Sequence, residues 1–223
     1  MMIKEQIPNN LLKFILELNN ARSKYQEFPV EMLNVTYKVE NETDFVVLSD
    51  GKPIPLKNAS SGMQSLIPLL LVLMYGKENA QYESFVIEEP ECNLFPDKQR
   101  QLLEKLISEI FVENRSITIT THSPYLLSAL NNYLFAGYIS EEMSEDANQE
   151  LSKIVGKSLW IHTKDCSIYS LGEEINDGVY CKSIVDDETG LIDFNYLDGV
   201  SMTMGDDFSR MQRLYVREKR KSN

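Results

Sequence analysis

Ser84 to Gln99 reads SFVIEEPECNLFPDKQ. Phe85, Val86 and Ile87 run without a break into two adjacent carboxylates, Glu88 and Glu89, and a short apolar run bounded by polar residues is the pattern of a buried strand. Pro96 then opens a stretch in which Leu102, Leu103, Leu106, Ile107 and Ile110 share one helical face, and proline suits a first helical position. Upstream, Lys57 to Gly76 reads KNASSGMQSLIPLLLVLMYG, whose apolar run Leu66 to Met74 is too long for a strand and follows hydroxyl N-cap residues, predicting a largely buried helix. Downstream, Ser116 to Asn132 reads SITITTHSPYLLSALNN, a β-branched strand over Ser116 to Thr121 and a helix over Tyr125 to Leu130. Helix, strand, helix, strand, helix is the alternation of an α/β sheet with parallel strands, which puts active groups at the strands' carboxyl ends. Glu88-Glu89 and Thr121-His122-Ser123 both fall at such ends.

The flanks read differently. Leu11, Leu12, Phe14, Ile15 and Leu18 recur at helical spacing, predicting an amphipathic helix that ends near residues 21 to 24. From Val35 to Leu56 the period drops toward two, with Asn41-Glu42 and Asp50-Gly51 as turns, predicting a small antiparallel β layer. Ser140 to Glu150, acidic and nearly free of aliphatic side chains, reads as a mobile surface loop. A β hairpin around Lys164-Asp165 is expected over Ser158 to Leu171, and a closing helix over Asp206 to Lys221. These readings give one domain over 1–223. Residues 1–57 form its helix and β layer, 58–135 its central α/β region, and 136–223 a C-terminal extension.

With 34 acidic against 22 basic residues the formal net charge is −12, which repels polyanions and argues against a broadly basic nucleic-acid surface. The one local basic patch, Arg217, Lys219, Arg220 and Lys221, reads as a solvated helix terminus whose cations suit the helix dipole. Cys92, Cys166 and Cys181 are odd in number and lack CxxC spacing, so neither a disulfide framework nor a zinc site is expected, and a reducing cytoplasm fits. Neither a cleavable leader nor a membrane span is expected, since the most hydrophobic stretch, Leu66 to Tyr75, is short.

Each candidate constellation has a plain structural reading beside its functional one. Glu88 and Glu89 at a strand end could hold a magnesium ion and activate a water, or could simply be solvated. Ser60-Ser61-Gly62 could bind phosphate at a helix N-terminus, or merely cap it. His122 could hydrogen-bond a phosphate oxygen, or serve the fold.

Taken in order, the three segments resemble ABC-type ATPases, particularly the RecF-like and overcoming-lysogenization-defect-like AAA ATPases of prokaryotes. The resemblance covers roughly residues 48 to 134. It implies a partial P-loop NTPase sheet with flanking helices, and ATP and Mg2+ as ligands. It makes Ser60 and Gly62 signature contacts to ATP held by an opposite subunit, with Ser61, Met63 and Gln64 at neighbouring signature positions. Glu88 falls where the family has its magnesium-associated Walker B aspartate, and Glu89 falls on the catalytic glutamate. Asn93 to Pro96 falls on the D-loop, and His122 on the switch histidine. Two departures stand out: glutamate at 88 is one methylene longer than aspartate, and Ala59 replaces the leucine that usually opens the signature.

None of the ten glycines belongs to a GxxxxGK[ST] loop; Gly51-Lys52 runs into Pro53. Without that Walker A nest and its lysine the phosphates lose their main cradle, so weak or absent ATP binding by this chain alone is expected. The resemblance also puts the Walker A strand beside Ile117 to Thr121, which predicts an unpaired edge there. The expected partner is a Walker A-bearing half or subunit, in a homodimer or hetero-oligomer, with nucleic acid reached only through that partner. Two readings follow: an ATP-hydrolysing switch completed from elsewhere, or a degenerate relic acting as a non-catalytic interaction module. A nuclease is not expected, because Asp186-Asp187-Glu188 and Asp206-Asp207 read as turn acids.

Overall fold

In the computed structural model, residues 8–79, 82–111, 115–176, 178–193 and 196–221 are described. The chain divides into two compact units, Met1–Thr121 and His122–Asn223.

The first unit opens with α1 (Asn9–Lys24), followed by a four-stranded antiparallel sheet in the order β1 (Glu27–Val30), β2 (Val35–Glu40), β3 (Thr43–Val47) and β4 (Pro53–Pro55). The two expected turns join the later strands: Asn41 and Glu42 take left-handed φ of 47° and 65°, and Gly51 takes 81°. β1 carries no alternation that would announce it and contains Pro29, which a strand tolerates only at a sheet edge, where β1 lies. Helix α2 (Ser61–Glu78) buries Leu66, Ile67, Leu70, Leu71 and Leu73 against Val30, Val35, Tyr37 and Val46 of the sheet, and against Ile87, Leu102, Leu106 and Ile110. Each fully buried Leu or Ile contributes about 1.5–3 kcal/mol, so this cluster is the main cohesive term of the unit.

Strand β5 (Ser84–Glu88) pairs in parallel with β6 (Ser116–Thr120), Val86 opposite Thr118 and Glu88 opposite Thr120. Between them runs α3 (Pro96–Lys105), which continues through a π turn over Leu106–Ile110 that ends with the Phe111 amide donating to the Leu106 carbonyl at 2.9 Å. Among the described residues β5 and β6 form a sheet of only two strands, and the Val35 to Leu56 segment pairs within its own sheet rather than with β6. Parallel strands are normally covered on both faces, yet Val86 is 71% exposed.

The second unit departs further from expectation. Helix α4 starts at Pro124, one residue before the expected Tyr125, and runs past the expected Leu130 to Ser140, because Tyr133, Leu134 and Ala136 keep its apolar face supplied. The expected mobile loop over Ser140 to Glu150 is corrected: α5 (Glu145–Ile154) occupies most of it. The Ser144 hydroxyl accepts from the Ala147 amide, Glu145 and Asp146 favour the positive end of the helix dipole, and Leu151 anchors the helix by burial. The hairpin expected around Lys164-Asp165 is corrected too, since those residues lie in a 3-10 turn (Thr163–Asp165). The observed hairpin is β7 (Tyr169–Asn176) with β8 (Val179–Ser183), beside Gly178 at φ 86°. Asp186 heads a turn, accepting from both the amide and the hydroxyl of Thr189 at 2.7 Å, which holds its carboxyl below the usual range. Helix α6 (Tyr196–Lys221) begins ten residues before the expected Asp206 and carries the basic patch in its last turns.

Candidate functional site

The loop after β5 is built on left-handed backbone. Glu89 takes φ 44° and Asn93 φ 64°, conformations that cost a non-glycine residue about 1–3 kcal/mol and persist only where surroundings impose them. Here the imposing bonds are visible. The Glu89 amide extends the parallel ladder by donating to the Thr120 carbonyl at 2.9 Å, the Cys92 amide donates to the Glu89 carbonyl at 3.1 Å, and the Leu94 amide donates to the Glu91 carbonyl at 3.0 Å. The result is a tight reversal that leaves the Glu88 and Glu89 side chains exposed at the carboxyl end of β5.

The carboxylate that burial does claim is Glu91, only 8% exposed, which accepts a hydrogen bond from the Thr121 hydroxyl. That bond ties the loop after β5 to the end of β6. Sequence reasoning stopped at the Glu88-Glu89 pair, whereas burial falls on the second glutamate of Glu-Pro-Glu, which no periodicity marks. Cys92, which the sequence marks only by its lack of CxxC spacing, lies in the same loop: its thiol donates to Glu89 Oε2 at 3.3 Å, and that bond to a carboxylate pushes the thiol pKa up.

The second segment meets this loop directly. Ser60, with extended backbone, caps α2 by accepting the Met63 amide on its hydroxyl at 3.4 Å, and the first intrahelical bond runs from the Gln64 amide to the Ser60 carbonyl at 3.0 Å. The amides of Ser61 and Gly62 precede that bond and face out of the helix end. Gln64 folds its side-chain amide back onto the carbonyls of Lys57 and Ala59, at 3.1 and 2.8 Å, and so fixes the approach to the cap. Gly62 is buried, and a Cβ there would lie 2.7 Å from the Asn93 carbonyl oxygen. Only glycine permits this approach. The Asn93 side chain reaches across to the Ser65 hydroxyl at 3.5 Å. Helix end and loop are therefore continuous, with Ser60, Ser61, Gln64 and Asn93 exposed on the surface they form and Gly62 buried at the join.

His122 is the first residue of the second unit. It is exposed and immediately precedes Ser123, whose buried hydroxyl accepts the amides of Tyr125 and Leu126 at 3.2 and 3.3 Å to start α4. Among the described residues no cluster of three or more His, Cys, Asp or Glu side chains could hold a metal ion by itself. A magnesium ion is, however, commonly held by one carboxylate together with waters and substrate phosphates, and an exposed carboxylate at a strand end such as Glu88 fits that pattern.

The sequence profile of the AAA ATPase domain matches residues 2–127, more than half of the chain. The chain belongs to the AAA ATPase domain family, and its function is of the ATPase class. No curated protein matches it by sequence. Among solved structures, one from work on the structural biochemistry of ATP-driven dimerization and DNA-stimulated activation of SMC ATPases is similar at 9% identity and a TM-score of 0.42, over 78% of this chain and 86% of that one. No helix among the described residues is long and apolar enough to cross a membrane.

Proposed function

We propose that this chain, acting over 1–223 as the C-terminal portion of an ABC-type core, supplies the signature side and the water-activating side of an ATP site whose Walker A loop comes from elsewhere. The observation that carries this reading is the Gly62–Asn93 contact, which joins the capped N-terminus of α2 to the loop presenting Glu88 and Glu89. Outward-facing amides and the positive dipole at Ser60 to Gly62 suit a phosphate. The β5–β6 sheet, two-stranded among the described residues, is consistent with a strand arriving from another polypeptide.

In this reading ATP is the substrate, and Glu88 would give a magnesium ion bound with it one carboxylate, the ion supplying charge neutralisation at the phosphates. Glu89 accepts the proton of the attacking water at its exposed carboxylate. Its left-handed backbone and the Cys92 thiol fix where that carboxylate sits. His122 donates toward the developing charge, while Ser60, Ser61, Gly62, Gln64 and Asn93 contact nucleotide held across a subunit interface.

Reconstitution tests it. Mixed with a Walker A-bearing fragment of the same family, this chain is expected to turn over ATP, and Glu89→Gln to lower that turnover about 10²- to 10⁴-fold, the usual contribution of a general base. Equal turnover by the two chains removes Glu89 from its role, and no turnover with any Walker A partner leaves the non-catalytic interaction module as the better reading.

A further inference from the structure

Helix α6 (Tyr196–Lys221) is 26 residues long and carries an apolar stripe that its own chain does not cover. Met204, Phe208, Met211 and Tyr215 follow one another at intervals of four, three and four residues, which keeps them on one side of the helix. They are 68, 58, 59 and 63% exposed. Isolated helices are marginal in water, and most helical stability comes from packing an apolar face, so a stripe of this length points to a partner.

We infer that α6 is a self-association surface, pairing antiparallel with α6 of a second copy of this chain. Two features select that occupant. First, the stripe is self-complementary under a two-fold axis: Met204 opposite Tyr215 and Phe208 opposite Met211 share one midpoint, so every apolar residue meets another, as an isologous interface requires. Second, charge along the helix is segregated. Residues 196 to 209 contain Asp198, Asp206 and Asp207 and no basic residue. Residues 210 to 221 contain Arg210, Arg213, Arg217, Lys219, Arg220 and Lys221 against the single acid Glu218. Antiparallel pairing sets the acidic half of each helix beside the basic half of the other and opposes the two helix dipoles, whereas parallel pairing sets basic beside basic. An anionic lipid surface fits less well. Asp207 sits one turn from Met211 beside the stripe, and Arg213 lies on the side away from it.

None of the stripe residues is among those proposed to face nucleotide, so the test needs no nucleotide and stands or falls independently of the ATPase reading. The full chain is expected to sediment at twice 25.7 kDa without ATP, and the double variant Phe208→Glu/Met211→Glu to sediment at 25.7 kDa with unchanged far-UV circular dichroism. Orientation is read by cross-linking in a background with Cys92, Cys166 and Cys181 replaced by serine. A mixture of Met204→Cys and Tyr215→Cys chains is expected to form the mixed disulfide on mild oxidation, and Met204→Cys alone to form little. A monomeric wild-type chain, a dimer that survives the double variant, or efficient Met204–Met204 cross-linking overturns the proposal. So does a monomer that binds vesicles of anionic phospholipid through α6.

Discussion

Helices α2 and α6 draw on similar apolar side chains and meet opposite fates, one in each unit of the chain. In α2 apolar residues surround the helix from Leu66 to Met74, so no single contact can satisfy it, and Leu66, Ile67, Leu70, Leu71 and Leu73 are all buried. In α6 Met204, Phe208, Met211 and Tyr215 share one stripe, the remaining surface mixes charged and polar residues with Met202 and Leu214, and these apolar side chains stay open to solvent. A helix that is apolar all round demands a core. A striped one demands only a single partner, and that partner can be another molecule.

The largest expected difference lies in truncation. Leu66→Ala in α2, where the side chain is 1% exposed, should cost about 2–5 kcal/mol, whereas Met204→Ala should change the folded monomer by no more than about 0.5 kcal/mol. Urea unfolding followed with hydrogen exchange of the α2 amides measures both, and similar losses would break the contrast.

Next comes one substitution with opposite signs. Gly62→Ala forces a methyl to within 2.7 Å of the Asn93 carbonyl oxygen and should destabilise by about 1–3 kcal/mol. Gly205→Ala in α6 meets nothing within 4 Å and should stabilise its helix by about 0.5–1 kcal/mol through helix propensity alone. Equal signs would mean that the loop after β5 yields, and that Gly62 does not weld it to α2.

The smallest effect separates two thiols. Cys92 is raised first by its hydrogen bond to Glu89, and Cys166 first by burial. A raised thiol pKa means less thiolate at neutral pH, hence slower alkylation there. In Glu89→Gln the alkylation profile of Cys92 should move to lower pH while that of Cys166 stays put, as peptide-resolved iodoacetamide labelling would record. A Cys92 profile that does not move leaves the thiol uncoupled from Glu89.

The order α2, β5, α3, β6, α4 was legible because each element announces itself locally, by a long apolar run, by β-branched residues ending in polar ones, or by Pro96 at a helix start. The Ser60 cap was legible for the same reason. What escaped carried local signals that composition or a competing turn outweighed. α5 looks like a loop in composition, yet one buried residue, Leu151, and one cap, Ser144, suffice to hold it. The β7–β8 hairpin did carry a local signal, the Asp177-Gly178 dipeptide, whereas Lys164-Asp165 drew the reading instead.

The candidate site divides in the same way. The resemblance carried by the three segments in order singled out Ser60, Gly62, Glu88, Glu89, Asn93 and His122 as the residues to watch. Residue types and spacing also excluded a GxxxxGK[ST] loop. Only the tertiary structure decided that Glu91, rather than Glu88 or Glu89, is the buried carboxylate. It also decided that Glu89 and Asn93 sit on left-handed backbone, and that Gly62 is a glycine because the Asn93 carbonyl leaves no room for a Cβ. Capping and periodicity act within a turn or two and are written in neighbouring residues. Burial and close approach arise between segments some thirty residues apart and exist only once the chain has folded.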